Sequence, residues 1–144
     1  MWLADEAATL KAARALAARL QPGDVVTLSG PLGAGKTSFA KGVLWGLGFA
    51  GEVASPTFAL VIPYEPPAVR LPVAHADLYR LKDASELAEL GLDEWRADGV
   101  LLIEWPERAE GRLGTALGLT LTPDGQGRRL TAEVPVAWEE RWLA

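Results

Sequence analysis

A glycine-rich segment at residues 30–37 constrains this chain more than any other part of its sequence. Gly30, Gly35, Lys36 and Thr37 satisfy the pattern G-x-x-x-x-G-K-[S/T], in which backbone amides enclose a phosphate group. An apolar, β-branched run precedes the segment at residues 25–29, and an apolar pattern with helical spacing follows it to residue 47. The sequence therefore predicts a strand, a phosphate-binding loop and a helix in immediate succession.

The residues of this loop have separate physical tasks. Glycine permits backbone angles that other residues avoid, and it lets amide N–H groups approach a polyanion closely. The N-terminus of the following helix adds partial positive charge. Lys36 would reach the β- and γ-phosphates, and Thr37 would offer its hydroxyl to Mg²⁺. The predicted nucleotide-binding residues of the loop are Gly33, Ala34, Gly35, Lys36, Thr37 and Ser38.

Composition narrows the classes of function. The length of 144 residues predicts a single domain over residues 1–144, formed around the phosphate loop. A net charge of −5 argues against a protein that grips nucleic acid with a basic face, so contact with RNA would be indirect. The absence of cysteine excludes disulfides and Cys-ligated zinc. An acidic N-terminus and the lack of about 18 continuous apolar residues favour a cytoplasmic protein without a membrane segment.

Apolar periodicity and turn residues predict the remaining elements. The remaining helices are expected at residues 5–20 and, from a cap at residue 83 or 85, up to residue 90. The remaining strands are expected at residues 57–62, 73–78, 100–105, 117–122 and 129–134, of which the last two form a hairpin. Residues 63–72 are expected to form a turn. This order predicts the α/β class: a P-loop NTPase-like three-layer fold with a central mostly parallel sheet, plus a C-terminal β-hairpin.

Two acidic residues follow apolar runs and are candidate partners of a bound nucleotide. Asp77 and Glu104 would lie at the carboxyl edge of a parallel sheet, where open α/β sheets bind ligands. The shorter carboxylate of Asp77 suits Mg²⁺, and Glu104 is a candidate to orient the attacking water. The predicted metal ligands are Thr37, Asp77 and Glu104. On the pattern alone, one of the two acids could instead be an exposed residue at a strand end.

Several residues outside the loop have more than one interpretation. Thr57 follows Ser55-Pro56, where many P-loop NTPases carry a loop whose threonine senses the γ-phosphate and Mg²⁺. It is therefore a candidate catalytic residue with Glu104, although an ordinary turn before a strand has the same sequence. Trp105 could cover a nucleotide or pack at an interface. For His75, the only histidine, a structural role is favoured.

Four separated segments resemble the TsaE family, bacterial P-loop proteins of the pathway that forms threonylcarbamoyladenosine in tRNA. The segments are GPLGAGKT at residues 30–37, VASPTF at 53–58, HADLYRL at 75–81 and IEWPE at 103–107. The resemblance covers essentially the whole chain, and the second and third segments discriminate better than the loop does. Pro31 is a minor departure, because the family often carries a polar residue there.

This resemblance implies an ATPase of low intrinsic activity that uses ATP or ADP and Mg²⁺. The roles it implies are phosphate and Mg²⁺ binding for Lys36 and Thr37, a switch-like loop for Thr57, an acid beside Mg²⁺ for Asp77, hydrolysis for Glu104 and nucleotide contact for Trp105. It also implies two partner proteins, TsaD and TsaB. The chain would contact tRNA only through that pair and would not itself transfer the threonylcarbamoyl group. No metabolite acceptor is expected.

Two other functions would use the same phosphate loop. A small kinase acting on a metabolite is one alternative, although residues 81–96 offer only Lys82 and Arg96 to a cationic lid. A nucleotide-sensing module or GTPase-like switch is the other. The Asn-Lys-x-Asp motif that reads guanine is absent, because the chain contains no asparagine.

Overall fold

The computed structural model describes residues 1–57 and 59–143 and arranges them around one seven-stranded β-sheet. The strands are β1 (Trp2–Leu3), β2 (Val25–Ser29), β3 (Val61–Tyr64), β4 (Val73–Asp77), β5 (Val100–Glu104), β6 (Leu117–Asp124) and β7 (Gly127–Glu133). The helices are α1 (Glu6–Ala17), α2 (Lys36–Gly46) and α3 (Leu92–Arg96), with short 3₁₀ helices at Ala84–Leu90, Pro106–Ala109 and Val136–Trp138.

The strand order is β1-β7-β6-β2-β5-β4-β3. At the centre, β2 runs parallel to both β5 and β6, and β4 runs parallel to β5. The edges are antiparallel, because β3 pairs with β4, β7 with β6, and β1 with β7 in that sense. The predicted mostly parallel sheet is confirmed, since only β3 and β7 oppose the common direction. The predicted C-terminal hairpin is β6 and β7, and it belongs to this same sheet.

Apolar side chains on both faces of the sheet are covered, which confirms the predicted three layers. On one face, Leu16 of α1 and Phe39 of α2 pack with Val26 and Leu119 of the sheet. On the other face of the sheet, buried apolar side chains in and around α3 pack with Leu101 in a second apolar cluster. Complete burial of each large apolar side chain contributes about 1.5–3 kcal/mol. The two apolar layers therefore hold the sheet, and the loops at its ends, in place.

Close contact between α1 and α2 fixes the helix that follows the phosphate loop. A Cβ atom at Gly42 would lie 2.6 Å from the Cβ of Ala13, and one at Gly46 would lie 2.6 Å from the Cβ of Ala17. These distances are shorter than any ordinary carbon–carbon contact, so glycine is required for the helices to approach this closely. The start of α2 is thereby held against the end of β2.

The predicted bounds 57–62 for a strand are wrong, because the chain turns before it extends. Leu60 has a positive φ of 66°, and its amide donates to the carbonyl of Pro56 at 2.7 Å. Strand β3 starts after this turn and includes Pro63, which an edge strand tolerates because one side of its ladder is unpaired. Phe58, part of the predicted strand, lies outside the described residues.

Other elements match their predicted type and differ at their ends. The predicted helix before residue 90 is a 3₁₀ helix, capped by the carboxylate of Asp83, which accepts from the Ser85 amide at 3.0 Å. Strand β5 ends before Trp105, whose φ of 59° breaks the extended backbone. No sequence pattern predicts strand β1, because it is too short to show one. Within residues 1–57 and 59–143, no helix is long and apolar enough to span a membrane.

Candidate functional site

The carboxyl ends of β2, β4 and β5 lie side by side at one edge of the sheet. Strand β2 leads directly into the phosphate loop, β4 ends at Asp77 and β5 ends at Glu104. Asp77 is in register with Glu104, and Glu104 is in register with Leu28 of β2. Both carboxylates are buried, at 6% and 2% exposure, so neither is the exposed strand-end acid that the pattern left open.

The phosphate loop has the backbone shape that its glycines predict. Gly30, Gly33 and Gly35 have φ angles of 140°, 77° and 100°, which other residues rarely adopt. Gly35 precedes α2 and has no side chain with which to cap it, so the amides of the first turn remain available to a ligand. Together with the partial positive charge of the helix N-terminus, this backbone fits an anion.

The side chain of Lys36 is almost fully buried and lies along the loop. Its Nζ donates to the carbonyls of Gly30 and Pro31 at 2.5 and 2.9 Å. It also lies 4.0 Å from the centroid of the Trp105 ring, within the range of a cation–π contact. The ammonium group is thus held over the loop, at the position from which a lysine can reach a phosphate chain.

Burial and three carboxylates act on Lys36 in opposite senses. Burial lowers the pKa of Lys36 from its ordinary value of 10.5, and the nearby carboxylates of Glu104, Glu107 and Asp77 oppose that shift. Three carboxylates therefore surround one ammonium group. A polyphosphate bound here needs further positive charge, which the loop amides, a divalent cation or another cationic side chain would supply.

Two hydroxyl–carboxylate pairs face the same cavity. The hydroxyl of Thr37 donates to Oε1 of Glu104 at 3.0 Å, and the hydroxyl of Thr57 donates to Oδ2 of Asp77 at 3.2 Å. The Ser55 hydroxyl lies 2.7 Å from that of Thr57 and holds this loop in place. The structure therefore brings together all four residues that the sequence predicted for metal binding and catalysis.

His75 lies against Glu104 and orients that carboxylate. Its Nε2 is 2.7 Å from Oε2 of Glu104, and both side chains are buried, at 0% and 2% exposure. Among the described residues, Nδ1 of His75 is buried without a hydrogen-bond partner. Asp77 is held in a similar way, because its Oδ1 accepts from the Tyr79 amide at 2.9 Å. Both carboxylates consequently have fixed directions before any ligand binds.

Trp105 lines the cavity, and its ring packs against Tyr79. The rings of Tyr79 and Trp105 are 4.9 Å apart at an angle of 50°, and Arg108 lies over the Tyr79 ring at 5.3 Å. Trp105 has left-handed backbone angles, which cost of order 1–3 kcal/mol in a residue other than glycine. This strained turn directs the indole back over Lys36 rather than along the strand.

The cavity bounded by these residues has a volume of about 290 Å³. Its lining residues are Leu32, Gly33, Ala34, Gly35, Lys36, Thr37, Ser38, Thr57, Asp77, Glu104, Trp105 and Arg128. Within the described parts of the chain, no cluster of three or more His, Asp or Glu side chains is arranged to hold a metal by itself. Mg²⁺ usually takes one or two carboxylates and completes its octahedron with phosphate and water, so this donor set fits Mg²⁺ bound together with a nucleotide.

A family model described as "Threonylcarbamoyl adenosine biosynthesis protein TsaE" matches residues 3–130 of this chain. This chain belongs to the TsaE family. The matched range includes the phosphate loop, both acids and most of the C-terminal hairpin. The resemblance found in the sequence motifs is therefore confirmed.

Individual TsaE proteins show the same relation. The protein of Bacillus subtilis (strain 168) named "tRNA threonylcarbamoyladenosine biosynthesis protein TsaE" is 48% identical over 102 residues, which cover 70% of this chain and 62% of that protein. The Rickettsia bellii protein of the same name is 42% identical over 80% of this chain and 79% of its own length. The Nostoc protein is 36% identical over 94% and 85%. The aligned part thus spans less than two thirds of the Bacillus relative.

A solved structure has the same fold. The crystal structure of Bacillus subtilis YdiB superposes with a TM-score of 0.77 and 35% sequence identity, and the match covers 92% of this chain and 82% of that one. At this identity and coverage the likeness agrees with membership of the TsaE family.

One residue at the site of this TsaE protein was not predicted from the sequence. Arg128 of β7 lines the cavity beside the phosphate loop. A Cβ atom at Gly35 would lie 3.1 Å from Nε of Arg128, so this arginine touches the loop backbone. No local motif links the two positions, because they meet only through the pairing of β6 beside β2 and β7 beside β6. A lone arginine in an alternating strand gives no signal of such a place.

Proposed function

We propose that this TsaE protein binds ATP at the phosphate loop and hydrolyses it, at a low intrinsic rate and with Mg²⁺. The observation that carries the proposal is the meeting of Lys36 with two hydroxyl–carboxylate pairs, Thr37–Glu104 and Thr57–Asp77, in one cavity. A glycine-rich turn with a purely structural role would not require buried acids from two other strands.

The loop backbone supports binding of the phosphate chain. The residues proposed to contact it are Gly33, Ala34, Gly35, Lys36, Thr37 and Ser38, with Trp105 on the facing wall. Lys36 would leave the carbonyls that it now contacts, or share its three N–H donors between them and the β- and γ-phosphates. Its fixed place over the loop reduces the conformational entropy lost on binding.

The hydroxyl of Thr37 and the carboxylates of Asp77 and Glu104 would hold Mg²⁺. A Mg²⁺ ion held by these residues would supply positive charge that offsets the charge of the phosphates. The hydrogen bond from Thr37 to Glu104 brings two of these donors within 3.0 Å of each other in the protein itself. The Thr57 hydroxyl donates to Asp77 at 3.2 Å, which supports a loop that responds to the terminal phosphate.

Glu104 is the proposed catalytic base or water-orienting residue. His75 holds its Oε2, so Oε1 is the oxygen directed at the cavity. A water that donates to Oε1 would be oriented for attack on the γ-phosphate, with its proton passing toward the carboxylate. Thr57 would help by placing the terminal phosphate beside that water. Orientation of this kind needs a fixed carboxylate, and the contact with His75 supplies it.

We infer that hydrolysis supports the formation of threonylcarbamoyladenosine in tRNA, as the names of the relatives indicate for those proteins. The proposed partners are TsaD and TsaB, in the cytoplasm, with tRNA bound by the pair and not by this chain. The net charge of −5 supports an indirect contact with tRNA. Group transfer to adenosine would belong to a partner.

The test is ATP hydrolysis by the full chain with and without Mg²⁺, alone and with a purified TsaD–TsaB pair. We expect slow turnover that needs Mg²⁺ and changes when the pair is added. K36A should weaken ATP binding, whereas K82A, which removes an exposed lysine, should not. The proposal fails if ATP does not bind, or if the pair neither binds the chain nor alters turnover.

The same assay separates hydrolysis from metabolite phosphorylation. Nucleosides and shikimate are added as acceptors, and both ADP and phosphorylated products are measured. We expect ADP and free phosphate without a phosphorylated acceptor. Robust transfer to any acceptor would replace the proposed ATPase with a kinase.

A further inference from the structure

Arg128 is a half-buried cation with an unusual environment. Among residues 1–57 and 59–143, its guanidinium forms no hydrogen bond or ion pair, although it touches the phosphate loop at Gly35. The other half-buried arginines of the described residues have acceptors: Arg96 donates to the carbonyl of Gly23, and Arg141 is paired with Asp24. The five N–H donors of this guanidinium are therefore available to a ligand that binds beside the loop.

The acidic side chains near Arg128 are engaged elsewhere. Arg128 also lines a neighbouring pocket that contains Asp5 and Glu6. The Asp5 carboxylate accepts from the Ala8 amide at 2.8 Å as the cap of α1, and the Glu6 carboxylate accepts from the Ser38 hydroxyl at 3.3 Å. Arg128 is thus left facing the start of α2, where the loop amides also point.

The position of Arg128 indicates which phosphates of a bound nucleotide it would contact. Loop amides at the helix N-terminus cradle the α- and β-phosphates, while Lys36 reaches the β- and γ-phosphates. Arg128 touches Gly35 and lines a pocket with Ser38, both at that helix N-terminus. The groups proposed to act near the γ-phosphate lie on the other side of β2: Asp77 ends β4, and Thr57, in the turn before β3, donates to it.

We propose that Arg128 is a nucleotide-binding residue, which clamps the α- and β-phosphates from the C-terminal hairpin. The inference rests on the proposed function, since it needs a nucleotide at the loop. The planar guanidinium offers two parallel N–H donors to phosphate oxygens and adds the positive charge that the carboxylate-rich cavity lacks. Because ADP retains both of these phosphates, the clamp acts on ADP and ATP alike.

The test compares R128A, R128K and the matched control R129A. Arg129 is the adjacent residue on β7, its side chain points to the opposite face, and its exposed ion pair with Asp124 contributes little to stability. R128A and R129A therefore remove the same charge from the same strand. Calorimetry with Mg²⁺ measures the Kd of ADP and of a non-hydrolysable ATP analogue, and urea unfolding verifies that each variant is folded.

We expect R128A to weaken ADP and the ATP analogue by the same factor, about 10- to 100-fold, as for lost hydrogen bonds between charged groups. R128K should recover only part of this loss, because lysine lacks the fork. R129A should match the wild type. Turnover of R128A at saturating ATP should stay within about threefold of the wild-type rate, with the effect confined to KM.

Three results would overturn this inference. If folded R128A binds ADP with unchanged affinity, Arg128 does not clamp the nucleotide, while the proposed ATPase function still stands. Normal ADP affinity with reduced turnover would place Arg128 at the γ-phosphate instead. If the wild-type chain binds neither ADP nor the analogue, the phosphate loop has another role, and both the proposed function and the clamp fail together.

Discussion

The substitution E104Q tests the proposed chemistry with the smallest structural change. Glutamine has nearly the same shape, and its amide oxygen can still accept from Thr37 at 3.0 Å or from His75 at 2.7 Å. What is lost is the negative charge at a site with 2% exposure. A buried charge costs desolvation that its hydrogen bonds offset, so we expect the free energy of unfolding to change by no more than about 1 kcal/mol.

The effect on hydrolysis should be far larger. A neutral amide can orient water but accepts no proton and stabilises no developing positive charge on it. Removal of one preorganised electrostatic group typically costs about 2–4 kcal/mol of transition-state stabilisation. At 1.36 kcal/mol per tenfold change, that cost corresponds to a fall in kcat of about 30- to 1000-fold.

Single-turnover and steady-state hydrolysis of ATP, measured beside the Kd of ADP, would check this expectation. The matched control is E107Q, which makes the same chemical change at an exposed residue whose carboxylate also lies near Lys36. We expect the control to keep a wild-type kcat. The reasoning is refuted if E104Q hydrolyses ATP as fast as the wild type, or if E104Q and E107Q lose activity equally.

Three further predictions concern stability and pH, each measured by urea unfolding. Burial lowers the pKa of Lys36 below 10.5, so between the folded-state pKa and 10.5 the unfolded chain binds more protons than the folded chain. The free energy of unfolding should therefore gain a positive contribution as the pH rises through this range. K36M should lack this contribution, and identical pH profiles would contradict it. H75A should cost about 1–3 kcal/mol by leaving Oε2 of buried Glu104 without its partner, and H75Q should cost less. Equal losses in the two variants would point to the cavity left by the imidazole instead. G42A should destabilise by about 1–3 kcal/mol, because its Cβ would overlap Ala13, although alanine normally favours a helix. A more stable G42A would contradict the close helix contact.

Local patterns predicted the parts of the fold that depend on local chemistry. The loop at residues 30–37, a helix cap at residue 83 or 85, of which the structure uses Asp83, and the hairpin of β6 and β7 each follow from residues close together in the chain. The predicted strand at residues 57–62 is wrong, because composition alone cannot reveal that Leu60 adopts a positive φ. The turn there is closed by the hydrogen bond from the Leu60 amide to the carbonyl of Pro56, which no apolar pattern indicates.

The residues of the site also divide into those that local sequence patterns predict and those that they do not. Asp77 and Glu104 could be predicted because each ends an apolar run, and the carboxyl ends of parallel strands meet at one edge. The contact between His75 and Glu104 could not, because it depends on the register of β4 against β5 and not on alternation within β4. Sequence spacing alone therefore placed His75 on the correct strand without indicating its partner.

The position of Arg128 beside the phosphate loop depends on the pairing of strands that are far apart in the sequence. Arg128 reaches Gly35 only because β6 pairs in parallel with β2, the strand that feeds the loop, and β7 returns antiparallel beside it. The hairpin is therefore more than an addition to the P-loop core: a shift of one residue in the register of β7 would turn Arg128 to the other face and bring Arg129 toward the loop. The pairing of two distant strands thus decides which arginine faces the nucleotide site, and this explains why R128A and R129A, identical in composition, should differ in nucleotide affinity.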